Sequence, residues 1–118
     1  MVRMEEPIQG LDLTPNLAAI LKVFLEDPAQ PRYGLELMKL TGQPSGSLYP
    51  NVAKLEGAGY LTGGREDIDP HEAGRPARRF YTISGAAVPV ARYQLAELSE
   101  RYRPPRTVRR LASEGGTA

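Results

Sequence analysis

Apolar residues recur along the first half of the chain in steps of three and four. Leu17, Ile20, Leu21 and Phe24 stand at i, i+3, i+4 and i+7, so residues 15–26 carry one apolar face and read as an amphipathic helix. Thr14 is placed to cap it, Pro15 to open it and Asp27-Pro28 to end it. Residues 28–32, Pro-Ala-Gln-Pro-Arg, form a turn. A second helix is expected from about Tyr33 to Leu40, with Leu37, Met38 and Leu40 on its inner side and Gly42 as its C-cap. Thr41 to Pro44 leave only a short turn before a third helix that reaches Ala58, with Leu48, Val52 and Leu55 on one face. Ser45 or Ser47 suits its N-cap. Pro50 favours Ser47, because it then falls in the first turn, where its missing N–H costs nothing.

The second half changes period. Tyr60-Leu61-Thr62 begins a strand, residues 63–77 read as a loop rich in glycine and acids, and Arg78 to Ile83 alternates polar and apolar residues as a returning strand. Ser84 then caps a last helix, roughly Gly85 to Tyr102, whose regular part starts near Val88 because of Pro89; Pro104-Pro105 ends it. The chain divides into a loose arm (1–13, with a short strand or turn near Ile8 to Leu13), a domain (14–84), a C-terminal helix (85–105) and a basic tail without periodicity that reads as disordered (106–118). The fold class is mainly α with a small β-hairpin. Two helices, a tight turn, a third helix and a hairpin are the layout of a winged helix-turn-helix, here followed by a dimerisation helix.

Composition narrows the chemistry. The 118 residues suit one small domain, and there is no cysteine, which excludes disulfides, thiolate catalysis and thiolate-bound metals. No apolar run approaches the ~18 residues of a membrane span. The N-terminal stretch, with Glu5, Glu6 and Asp12, lacks the apolar core of a signal peptide, and a cytoplasmic location is expected. Net charge is only +1, but it is unevenly spread. Residues 1–74 hold 6 basic and 11 acidic side chains, a balance of −5, whereas residues 75–118 hold 9 and 3, a balance of +6. A stripe of one sign matters more to a polyanion than the sum.

Three groups of residues carry candidate function. The third helix bears Ser45, Ser47, Tyr49, Asn51 and Lys54 opposite its inner face; short hydroxyls, an amide and a helix N-terminus suit base edges and phosphates. Asn51 is the best candidate for a base-edge contact, since an amide pairs bidentately with adenine. The plainer alternative is that the serines cap the helix and Tyr49 packs. Gly74-Arg75-Pro76-Ala77-Arg78-Arg79 concentrates three guanidinium groups at a hairpin, where they can grip phosphates or enter a minor groove; the alternative is a charge run that keeps an edge strand soluble. The neighbouring Glu66, Asp67, Asp69 and Glu72 would repel phosphate, so they are expected to face away. Val88, Ala91, Leu95, Leu98 and Tyr102 recur at spacings of 3, 4, 3 and 4, an a/d seam that fits a homodimer or packs on its own domain.

Catalytic readings find no support. His71 is the single histidine and lies in an acid-rich loop, no serine has a histidine and aspartate relay, and no glycine-rich loop ends in a lysine. No catalytic residue, metal site or cofactor is expected.

These segments resemble the PadR family of bacterial transcriptional regulators over about Leu17 to Gly85. Leu21 with Pro31-Arg32-Tyr33-Gly34 is similar to the family's opening "L…P-x-Y-G", and Gly46-Ser47-Leu48-Tyr49-Pro50 to its recognition-helix motif "G-T/S-L-Y-P". Leu55-Glu56 with Gly59-Tyr60-Leu61 resembles "L-E-x-x-G-L/Y-I". Gly74-Arg75-Pro76 with Arg78 to Ser84 resembles the wing signature. The resemblance implies a dimeric repressor on double-stranded operator DNA, with Tyr33, Ser47, Tyr49, Arg75, Arg78 and Arg79 facing the DNA and often a small aromatic or lipophilic effector. The sequence departs from the pattern at Leu35, where an aromatic is common, in its long acidic wing, and in having one short helix after it. The alternative to DNA binding is a winged-helix module that binds protein.

Overall fold

A computed structural model describes residues 10–101. Helix α1 spans Pro15–Glu26, and Thr14 Oγ1 accepts from the Leu17 amide at 3.2 Å, as an N-cap should. Its apolar stripe, Leu17, Ile20, Leu21 and Phe24, forms the centre of the core. The turn that follows contains a two-residue strand, β1 (Arg32–Tyr33), too short to show any periodicity in the sequence. Arg32 Nη1 donates to Glu36 at 2.6 Å and Nη2 lies 4.0 Å from Glu26, so the strand is tied to both flanking helices.

Helix α2 spans Gly34–Thr41 and α3 spans Ser45–Gly57. Between them Gly42 takes the left-handed conformation (φ 73°), and its amide donates to the Met38 carbonyl, closing α2 as expected. Two expectations fail here. Leu37 is fully buried and Met38 partly, but Leu40 is 55% exposed and does not serve the inner side of α2. Neither serine caps α3. Pro44 is the N-cap, its carbonyl accepting from Ser47 and Leu48 at 3.0 and 2.8 Å, so Pro50 lies past the first turn. The Gly46 carbonyl, which the missing Pro50 N–H leaves without its helical donor, belongs to a solvent-exposed residue, so water lowers the cost. Leu48, Val52 and Leu55 are buried as their spacing requires.

Strands β2 (Leu61–Arg65) and β3 (Arg79–Ile83) pair antiparallel, and β1 adds to the far side of β3, giving the order β1-β3-β2 rather than a bare hairpin. The register runs from Leu61 opposite Ile83 to Arg65 opposite Arg79. Gly63-Gly64 lies within β2, not in a loop. A Cβ at Gly64 would strike the Phe80 ring and one at Gly63 the Arg79 guanidinium, so these glycines let large cross-strand side chains lie flat. The wing loop holds a short helix, α4 (Pro70–Ala73), capped by Asp69 and closed by Gly74 at φ 72°.

Helix α5 spans Ala87–Arg101 and packs against α1. Ser84 does not cap it with its hydroxyl, which donates instead to the Gly59 carbonyl at 2.9 Å; the Ser84 carbonyl accepts from Ala87. Buried Tyr60 donates its hydroxyl to Gln94 Oε1 at 2.6 Å and accepts from the Leu11 amide at 3.3 Å, while Gln94 Nε2 donates to the Leu11 carbonyl at 3.0 Å. The end of the arm is thereby fastened to α5. Most of the arm, the tail and Tyr102 lie outside the described residues. No helix among the described residues is long and apolar enough to cross a membrane.

Candidate nucleic-acid interface

The third helix presents its flanks differently. Successive residues turn by about 100°, so with Leu48, Val52 and Leu55 inward, Ser47 and Asn51 fall on one flank and Tyr49 on the other. Ser47 Oγ accepts from Asn16 Nδ2 of α1 at 3.4 Å, and Asn51 Nδ2 donates to Gln43 Oε1 at 3.2 Å; both residues are half-buried. Tyr49 is 42% exposed and lays its ring over Gly34, where there is no room for a Cβ. Ser45 and Lys54 are exposed.

The wing is organised by a carboxylate. Glu66 does not face away as expected but sits among the arginines; Asp67, Asp69 and Glu72 are exposed. Arg75 donates to both of its oxygens at 2.7 and 3.3 Å, and the Arg78 amide donates to Oε1 at 2.9 Å. The Tyr33 hydroxyl donates to Oε2 at 3.4 Å, and the Tyr33 ring meets Phe80 edge-on at 6.4 Å. The reason is local: ladder pairing continues past β2 through Glu66 N–H to the Arg78 carbonyl, which brings the acid beside the returning chain. Arg75, followed by the Arg78 amide, holds the Glu66 carboxyl down from 4.5 to about 2, and the same pair pushes Arg75 up.

Arg79 is also engaged. Its guanidinium lies 5.5 Å from the Tyr81 ring centroid, Nε donates to the Tyr81 hydroxyl at 3.3 Å and Nη2 reaches Glu56 at 3.4 Å; the Tyr81 hydroxyl is the main cause of its raised pKa. Arg78, in contrast, is exposed and meets Glu66 through its backbone, the amide donating to Oε1 and the carbonyl accepting from the Glu66 N–H. The wing thus holds two arginines in place and projects the third.

A concave surface of about 1080 Å³ joins these elements, lined among others by Tyr33, Leu35, Lys39, Tyr49, Arg78 and Arg79. It brings the wing cations, the opening of α2 and the exposed flank of α3 onto one side. Ser45, Ser47, Asn51, Lys54 and Arg75 are not part of this lining. Sequence reasoning missed Glu66 and Glu56 as partners of the arginines, since both are contacts across the hairpin or between elements. It also missed Leu35, 66% exposed, as part of this surface.

Of the seam residues, Ala91 is fully buried in its own domain and is closed to a partner. Val88 and Leu95 pack partly against that core. Leu95 and half-buried Leu98 line a groove of about 470 Å³ with Leu13, Pro15, Ala18 and Lys22, between α5 and α1.

The Glu66 shift sets a pH dependence. A carboxyl with a depressed folded pKa contributes fully above its unfolded value and loses that contribution as pH falls through the folded value. The wing is therefore expected to keep its order from neutral pH down to 4.5 and to loosen between 4.5 and about 2. Following the Arg78 amide and the Glu66 carboxyl by NMR titration checks this; a carboxyl midpoint near 4.5 would contradict the arrangement.

No family model matches the chain, and neither does any curated protein sequence. Solved structures do. ZitR of Lactococcus lactis, a double mutant in apo form, is 16% identical with a TM-score of 0.59, over 89% of this chain and 68% of that one. The circadian clock associated protein Pex from Anabaena is 23% identical with a TM-score of 0.53, over 76% and 80%. Pex from Synechococcus is 26% identical with a TM-score of 0.52, over 79% and 85%. Three helices, a wing of antiparallel strands and these neighbours together establish the fold of the chain as a winged helix-turn-helix.

Proposed function

We propose that the protein is a sequence-specific transcriptional regulator of the PadR type, a repressor that binds operator DNA as a homodimer. The observation that carries this reading is the shared concave surface. One side of the molecule holds Tyr49 of α3, Tyr33 ahead of α2, and Lys39, Arg78 and Arg79. Likeness to winged-helix regulators supports a regulator in general. The N-terminal part of α3, with Ser45, Ser47, Tyr49 and Lys54, enters the major groove, and the wing lies on the backbone or in the minor groove. Arg75 and Arg79 stiffen the wing through their carboxylate and tyrosine partners, and Arg78 is its phosphate contact. The groove between α1 and α5 receives the α5 of a second copy, with Val88, Leu95 and Leu98 at the seam.

A band-shift titration at two salt concentrations tests the wing. Arg78→Ala is expected to weaken binding to all duplexes alike and to lower the slope of log affinity against log salt by about one. An unchanged slope removes Arg78 from the interface. The exposed Leu35 and Leu40 on the same surface favour a second reading, a module that docks protein. Salt-independent failure of the wild type to shift any duplex would select it.

A further inference from the structure

Gln43, in the turn between α2 and α3, is the one polar side chain in the buried set of the described residues, at 5% exposure. Both ends of its amide are used. Nε2 donates to the main-chain carbonyl of Asn16 at 3.0 Å, and Oε1 accepts from Asn51 Nδ2 at 3.2 Å. Asn16 in turn donates its own Nδ2 to Ser47 Oγ at 3.4 Å. A polar chain thus runs from the first turn of α1, through the turn of the helix-turn-helix, to α3.

The orientation of this chain is fixed by its first link. A peptide carbonyl only accepts, so Gln43 must point its nitrogen at Asn16 and its oxygen at Asn51. Asn51 must then answer with its amide nitrogen. That ties the amide of Asn51 to a buried partner on the α1-facing flank of α3, away from the flank that carries Tyr49 and meets the wing surface. A side chain that reads adenine must instead offer its donor and acceptor together to the base edge. Breaking the link on either side leaves a buried amide atom of Gln43 without a partner, which is costlier than losing an exposed hydrogen bond.

We infer that Asn51 is a positioning residue: through Gln43 it locks the pitch of α3 on the N-terminal turn of α1, and base readout falls to Ser45 and Tyr49. This rests on the DNA-binding reading above. The lock acts where it matters for recognition. A helix that tilts in the groove moves all its exposed side chains relative to the bases at once.

The test compares wild type, Asn51→Ala, Asn51→Asp, Gln43→Met and the Asn51→Ala/Gln43→Met double variant. Each selects its site from random duplex DNA, and each is then titrated on the wild-type site at a temperature where circular dichroism shows it folded. Asn51→Ala and Gln43→Met are each expected to lose about five- to tenfold in affinity, and the double variant no more than the worse single one. All variants are expected to select the wild-type bases. Asn51→Asp is the sharpest variant. A base-reading carboxylate would turn towards the exocyclic amine of cytosine, whereas a broken lock creates no new preference. Wild-type affinity in folded Asn51→Ala, a loss confined to one base position, or a new base preference in Asn51→Asp each overturns the role. If Gln43→Met does not fold, the two Asn51 variants decide alone. Wild type that enriches no duplex sequence defeats the DNA reading, and the role of Asn51 with it.

Discussion

Replacing Leu95 and Leu98 together by aspartate is expected to yield monomers and to cost about 100- to 10,000-fold in operator affinity, since two linked half-sites gain that much from avidity. The groove between α1 and α5 is apolar at Leu13, Pro15 and Ala18, and Leu98 stands half-buried at its edge, outside the core cluster of the monomer. Two carboxylates in such a seam would have to shed water without a cationic partner for each, which opposes closure of a dimer. Leu95 also packs against the monomer's own core, so Leu98→Asp alone is the control that separates lost pairing from lost folding. Sedimentation at micromolar protein and anisotropy with labelled operator measure the two effects. Wild type that sediments as a monomer under these conditions would exclude the seam.

Phe24→Ala is expected to lower unfolding free energy by about 3–5 kcal/mol, the range for emptying a buried aromatic site. Phe24 is fully buried on α1, the helix against which α2, α3 and α5 all pack, so the vacancy opens in the central helix of the core. Against a total of about 5–15 kcal/mol for a domain, such a loss leaves a marginal fold. Urea unfolding followed by circular dichroism reads it as a lower midpoint with an unchanged slope. A change under about 1 kcal/mol would mean that the core relaxes into the space, contrary to the packing described.

The long-period features of this fold were legible because they are local. Leu17, Ile20, Leu21 and Phe24 share a face by arithmetic alone, and Thr14-Pro15 and Gly42 mark their helix ends by conformation alone. What escaped depends on distant neighbours. Gly63-Gly64 resembles a loop until Arg79 and Phe80 are seen lying across it. Strand β1 exists only because β3 offers it a partner. Pro44 caps α3 with a backbone carbonyl, which leaves no signature in side-chain type.

The candidate site divides in the same way. Clustered arginines announce a basic wing, but their residue types do not say which of them is free. Glu66 and Glu56 occupy Arg75 and Arg79, and Arg78 alone of the three projects without a side-chain partner that would hold it back. Val88, Ala91, Leu95 and Leu98 all lie on α5, yet Ala91 is spent on the monomer core, because α5 packs on α1. Ser45, Tyr49 and Lys54 stand exposed on α3 as their positions require.

Enrichment of binding sites from random duplex DNA by the wild-type chain tests operator recognition by a dimer. The expected result is a palindrome whose half-sites lie about 34–36 Å apart, or a multiple of that distance, because a twofold dimer places two recognition helices in successive major grooves. Recovery of no motif, with retention of duplexes regardless of sequence or of none at all, would contradict it.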